Sequence, residues 1–190
     1  MRAGQVHSGF NLKKAIQAAA ELLRQEPGGQ MSRLRLIKLL YIADREALRD
    51  CGRPITWDSW IAMKHGPVLG RFYDVIKGED VGSTEFGQYV AQQGHQLSLV
   101  KDPGKDQLNR FEIRKLHELS NRYRDMGDWD IVEETHRFQE WIRNDPGESS
   151  HPISLEDVLA GVGLPPERIA AALRDAKNVR RLQRALHPVH

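Results

Sequence analysis

LRLIKLLYIADREALRDCG, residues 34–52, is the stretch that decides the fold. Leu36, Ile37, Leu39, Leu40, Ala43 and Ala47 recur at helical steps. The early part is apolar on most sides, which predicts a helix deep in the core rather than on a surface. Ser32 can cap its start, Gly52 stops it and Pro54 follows. Asp44, Arg45, Glu46 and Arg49 are expected to return its later turns to water.

Working outward, Leu12, Ala15, Ile16, Ala19, Leu22 and Leu23 predict a helix over residues 10–24, ended by Pro27-Gly28-Gly29. Residues 1–9 read as a loose tail. Trp57 to Lys64 reads as extended or irregular. Pro67 predicts the start of a helix running to Lys77, with Val68, Phe72, Val75 and Ile76 inward and Gly78 as its stop. Residues 79–106 predict a hairpin, with Tyr89 and Ala91, then Leu97 and Leu99, alternating about Gly94. Asn109 with Glu112 is a capping-box pattern for a helix over 110–126. After Gly127, Asp128 or Asp130 caps another helix carrying Trp129, Val132 and His136, and Phe138–Trp141 continues it or packs beside it. Residues 145–150 read as a loop. Ser154 with Asp157 caps a short helix to Ala160, and the last helix spans 167–186. The class is therefore mainly α (α+β): a compact helical domain, a small antiparallel β-hairpin or sheet, and a C-terminal amphipathic helix.

Composition excludes several functions. The net charge of +2 over 190 residues gives no argument for nucleic acid or an anionic membrane as a partner, although a local charge cluster could still matter. The single cysteine, Cys51, allows no internal disulfide and reads as a partly buried helix-end residue. The first residues lack the apolar core of a signal peptide, and no apolar run reaches membrane-spanning length. A cytoplasmic location is expected. Gly78–Gly87 lacks the spacing of a phosphate-cradling loop.

Three ordered motifs carry a family resemblance. The first is Lys38-Leu39-Leu40-Tyr41 followed by Ala43-Asp44. The second, within residues 53–70, holds Ala62, Lys64-His65 and Gly66-Pro67-Val68. The third, residues 132–141, holds Thr135-His136 and Trp141. Together they resemble the Panacea domain of SocA-like antitoxins, over about residues 10–163, leaving 164–190 as a helical extension. The resemblance implies a bacterial, often prophage-encoded, antitoxin that binds a cognate protein toxin. It implies no enzyme and no cofactor. One branch of such proteins delivers its toxin to an AAA+ protease, so an adaptor role is the alternative. Self-association is left open.

Two readings are open for most motif residues. His65, His136 and Tyr41 could form a metal or acid–base cluster. Their spacing contains no HExxH-type pair, so packing locks held by hydrogen bonds are the expected role. Trp57, Trp60 and Met63 are either core plugs or exposed anchors. The expected toxin-binding residues are Trp57, Lys64 and Arg71, with Asp44, Arg45 and Arg49 as a rim. The last helix carries Arg168, Arg174, Lys177, Arg180, Arg181 and Arg184 against Glu167 and Asp175, opposite a stripe of Ile169, Ala172, Leu173, Ala176, Val179, Leu182 and Leu186. It reads as an amphipathic helix docked on the domain. A DNA-binding autoregulator using that basic face is the remaining alternative.

Overall fold

A computed structural model describes residues 9–186, with only the backbone of residues 175 and 179–186. Most of the tail expected over 1–9, and the side chains of Val179, Arg180, Arg181, Leu182, Arg184 and Leu186, therefore lie outside the described residues. Among the described residues the architecture is mainly α with two three-stranded antiparallel sheets.

The central element is α2 (Arg33–Cys51), whose Ser32 side chain accepts from Arg35 N at 3.0 Å and whose Gly52 turns left-handed at φ 74°. It packs against α1 (Leu12–Arg24), α5 (Arg110–Tyr123), α6 (Asp128–His136) and α8 (Leu155–Gly161). Leu36, Leu39, Leu40, Tyr41, Ile42 and Ala43 are all fully buried, so this helix is lined by neighbours on nearly every side. Truncating one of these leucines to alanine would cost about 2–5 kcal/mol. The helix starts follow their local chemistry. Asn11 caps α1, Asn109 and Glu112 close a reciprocal capping box on α5, and Ser154 caps α8.

The first sheet has the order β1 (Gln30–Ser32), β5 (Gln96–Leu99), β4 (Val90–Gln93). The hairpin turns at Gly94, φ 61°, as expected. Its phase differs on one strand, where Val90 points into the core and Ala91 is exposed. Residues 79–106 also contain a helix, α4 (Ser83–Gly87), which buries Phe86 edge-on against Phe72.

The second sheet corrects two expectations. Pro67 does not begin a helix. Gly66, at φ 86°, reverses the chain so that β3 (Val68–Leu69) pairs with β2 (Trp60–Met63), and α3 (Gly70–Lys77) begins three residues after Pro67. Residues 145–150 are not all loop. Ser150 opens β6 (Ser150–Ile153), which lies against the other side of β2, Trp60 opposite Ile153. Gly127, rather than Asp128 or Asp130, stands at the cap of α6, and Asp130 accepts from its N–H at 3.1 Å. Cys51 is exposed rather than partly buried.

The chain then forms α7 (Gln139–Arg143) beside α6, and the last described element is α9 (Pro166–Leu186). Ile169, Ala172 and Leu173 pack against the body, so the first half of the last helix is docked as its apolar stripe predicts.

Candidate functional site

Asp44 is the first correction among the site residues. It is 0% exposed, not on a solvated rim. Its carboxylate accepts from Ile55 N, Thr56 N and Thr56 Oγ1 at 3.0, 3.0 and 2.6 Å. It thereby ties the segment after Gly52 onto α2. Burial pushes its pKa up to about 7, against the pull of those three hydrogen bonds. Glu46 is buried too, between Lys115 at 3.2 Å and Arg122.

Arg45 also turns inward. Its guanidinium pairs with Glu140 at 2.5 Å, donates to Gly161 O at 2.9 Å and lies 4.0 Å over the Phe138 ring. Glu140 is 0% exposed and also accepts from Tyr41 at 3.2 Å. Burial and that carboxylate raise the Tyr41 pKa well above its ordinary value, so the phenol stays protonated. Arg45, Tyr41 and Glu140 thus join α2 to α7, and two of the three expected family-motif stretches meet there. Only Arg49 of the expected rim is exposed, and it pairs with Asp50 at 2.6 Å.

Lys38, Gly66, Pro67, Thr135, His136 and Trp141 converge on the β2–β3 turn. Gly66 N donates to Met63 O at 2.9 Å, and Trp141 Nε1 donates to the same carbonyl at 3.0 Å. Lys38 Nζ, from α2, donates to Pro67 O at 2.9 Å. A Cβ on Gly66 would overlap Thr135 Oγ1 and lie 3.0 Å from Lys38 Nζ, so only glycine lets the turn approach α2 and α6 this closely. Thr135 is fully buried and donates to Val132 O at 2.8 Å. His136 stacks on Trp141 with ring centroids 4.2 Å apart. Burial lowers its pKa; Glu133 opposes this, while Lys38 and His65 lower it further, so the ring is neutral near pH 7. Among the described residues no group of three or more His, Cys, Asp or Glu is placed to hold a metal ion.

This turn forms one wall of a cleft of about 600 Å³. The other walls are the first turns of α2, with Arg33 and Ile37, and the start of α6, with Asp128 and Trp129. Lys38 lies along it, and burial alone pushes its amine down to about 7. Trp129 is 61% exposed at the mouth and meets His65 edge-on, centroids 5.4 Å apart. Lys64, also on the wall, is exposed and pairs with Glu148 at 2.8 Å.

Of the residues expected to bind a partner, Lys64 alone lines this cleft. Trp57 is half-buried against Gly9, and Trp60 is buried in β2. Arg71 is exposed on α3 but pairs with Asp80 at 3.0 Å, away from the cleft walls. Trp129 was legible only as one of a stripe with Val132 and His136. Periodicity could not tell that the stripe overhangs the body at its first residue.

Residues 36–142 match the model of a family described as antitoxin SocA-like, Panacea domain. The matched span holds Lys38, Gly66, Pro67, Trp129, Thr135, His136 and Trp141 together. Neither the curated proteins nor the solved structures yield a match.

Proposed function

The chain belongs to the SocA-like antitoxin family defined by the Panacea domain, and from that premise we propose that it neutralises a cognate protein toxin by direct binding over the Trp129 cleft. The observation that carries this reading is Trp129 itself: a tryptophan 61% exposed beside His65, at the mouth of a cleft of about 600 Å³. Scattered apolar side chains are ordinary on a surface. An exposed tryptophan on a concave, mixed-polarity site is the typical composition of an interface anchor.

The cleft is preformed, which supports a binding role. Its turn is held by Lys38, Thr135 and Trp141 before any partner arrives, so little ordering entropy opposes association. In this reading inhibition is mass action on the toxin, and no bond is made or broken in it.

The test is co-expression with the product of the adjacent reading frame. Wild-type protein is expected to rescue growth from that product, and purified components are expected to form a stable complex. Trp129→Ala is expected to lose both while keeping the wild-type melting temperature. Full rescue by Trp129→Ala would remove the cleft from the interface. Rescue accompanied by rapid loss of the toxin in cells, dependent on an AAA+ protease, would favour the adaptor mode instead.

A further inference from the structure

Lys38 is more than the turn requires. A backbone carbonyl such as Pro67 O needs only one neutral donor, and a hydroxyl or amide would supply it without burying a charge. The lysine is 1% exposed, yet it lies along the cleft. Its ammonium would carry three N–H donors, of which one is used. Among the described residues no carboxylate pairs with it, and burial acts on it unopposed. Buried lysines normally have a counter-ion.

The acids near the cleft are already engaged. Asp128 accepts from Ser32 Oγ and stands 4.0 Å from Arg35, while Glu148 is held by Lys64 at 2.8 Å. Arg33 and Lys64 add positive charge to the walls. Lys38 therefore has no anionic partner among the residues that line the cleft, whose walls also carry the apolar and aromatic side chains of Trp129, His65 and Met63.

We propose that the cleft receives a carboxylate side chain of the toxin, which pairs with Lys38 Nζ while Trp129 covers the rest of the inserted segment. This inference rests on the reading of the cleft as the toxin site. The free protein holds the amine close to neutrality, the less costly state for a lysine without a counter-ion. The incoming carboxylate supplies the missing charge, and the pair forms where water is excluded, so it discriminates strongly against a segment with a neutral side chain at that position.

The experiment observes the Lys38 side chain by NMR at fixed pH 7.5, assigned through Lys38→Met. The full-length protein is titrated with acetate, with N-acetylglutamate amide, with inorganic phosphate and with chloride at matched ionic strength. Saturable movement of the Lys38 signal with both carboxylates, and none with chloride, is the expected result. Equal movement with chloride, no movement with either carboxylate, or tighter binding of phosphate than of the carboxylates each overturns it. In the complex with the adjacent-frame toxin, Lys38 is expected to carry full positive charge at the same pH. Lys38→Met is expected to weaken that complex at least ~10-fold without loss of folding.

The two failures are separable. If Trp129→Ala abolishes the complex while Lys38→Met leaves its affinity unchanged, the cleft binds the toxin but not through a carboxylate, and the inference falls alone. If neither variant changes affinity, the cleft reading falls and takes the inference with it.

Discussion

Lys38 and Pro67 stand 29 residues apart in sequence, and a single hydrogen bond of 2.9 Å from the lysine Nζ to the proline carbonyl ties the central helix to the β2–β3 turn. Both residues fall within the span that the family model matches, and Lys38 also lines the cleft.

The same bond buries a cation, so Lys38→Met should stabilise the protein near neutral pH. The amine falls from an ordinary value of 10.5 to about 7 on folding. Between those values the unfolded chain binds more protons than the native one, so native stability rises with pH over that window. Below pH 7 the full penalty is present. Urea denaturation at pH 6, 8 and 9.5 should therefore show Lys38→Met more stable than wild type by a few kcal/mol at pH 6, as an order of magnitude, with the gap closing towards pH 10. A gap independent of pH would mean that Lys38 is not titrating in the native state.

Gly66→Ala should be among the more damaging single-methyl additions in the chain. It puts a side chain at φ 86° and drives it into Thr135. Left-handed strain and overpacking together should cost about 3 kcal/mol. Gly78→Ala is the control, since it shares the left-handed backbone at φ 83° with open space around it, and should cost only about 1 kcal/mol. Equilibrium denaturation of the two variants reads the difference, and equal losses would show that the turn is not packed as described.

Arg45→Met should cost about 3–5 kcal/mol, because it leaves the Glu140 carboxylate buried without its cation. Replacing both residues together by methionine should recover most of that loss. A double-mutant cycle on thermal stability measures the coupling, and additive losses would mean that the pair does not hold α2 to α7.

Trp129→Ala and Trp57→Ala should separate binding from folding. Trp129 is mostly exposed, so its removal should change stability by no more than about 0.5 kcal/mol while toxin affinity falls at least ~10-fold. Trp57 is half-buried and packs on Gly9, so its loss should lower the melting temperature and leave affinity nearly unchanged. Calorimetric titration against the adjacent-frame toxin, paired with melting curves, distinguishes the two. The reverse pattern would return the anchor to Trp57.

Local chemistry was readable wherever its partners lie within a few residues. Ser32 and Gly52 bound α2, Asn109 and Glu112 cap α5, and Gly94 turns the hairpin, because each acts on backbone groups close by in the chain. β6 was not readable as a strand, since its partner β2 lies some 90 residues earlier and Ser150–Ile153 carries no alternation of its own. Pro67 fits a helix start or a tight turn equally well. Its neighbour Gly66 decided for the turn, which a sheet partner on each side of β2 then fixed.

The amino-acid order by itself determined the helical class and the buried course of residues 36–43, because periodicity and caps are properties of adjacent turns. Tertiary structure alone decided which polar residues face inward. Asp44 and Arg45 look solvated on a helical wheel, yet a helix surrounded on nearly every side has no outer face until its neighbours are placed. The 55–56 segment claims the first, and Glu140 the second. The same placement leaves Trp129 overhanging a cleft, since exposure depends on where the rest of the chain stops, and no local pattern records that.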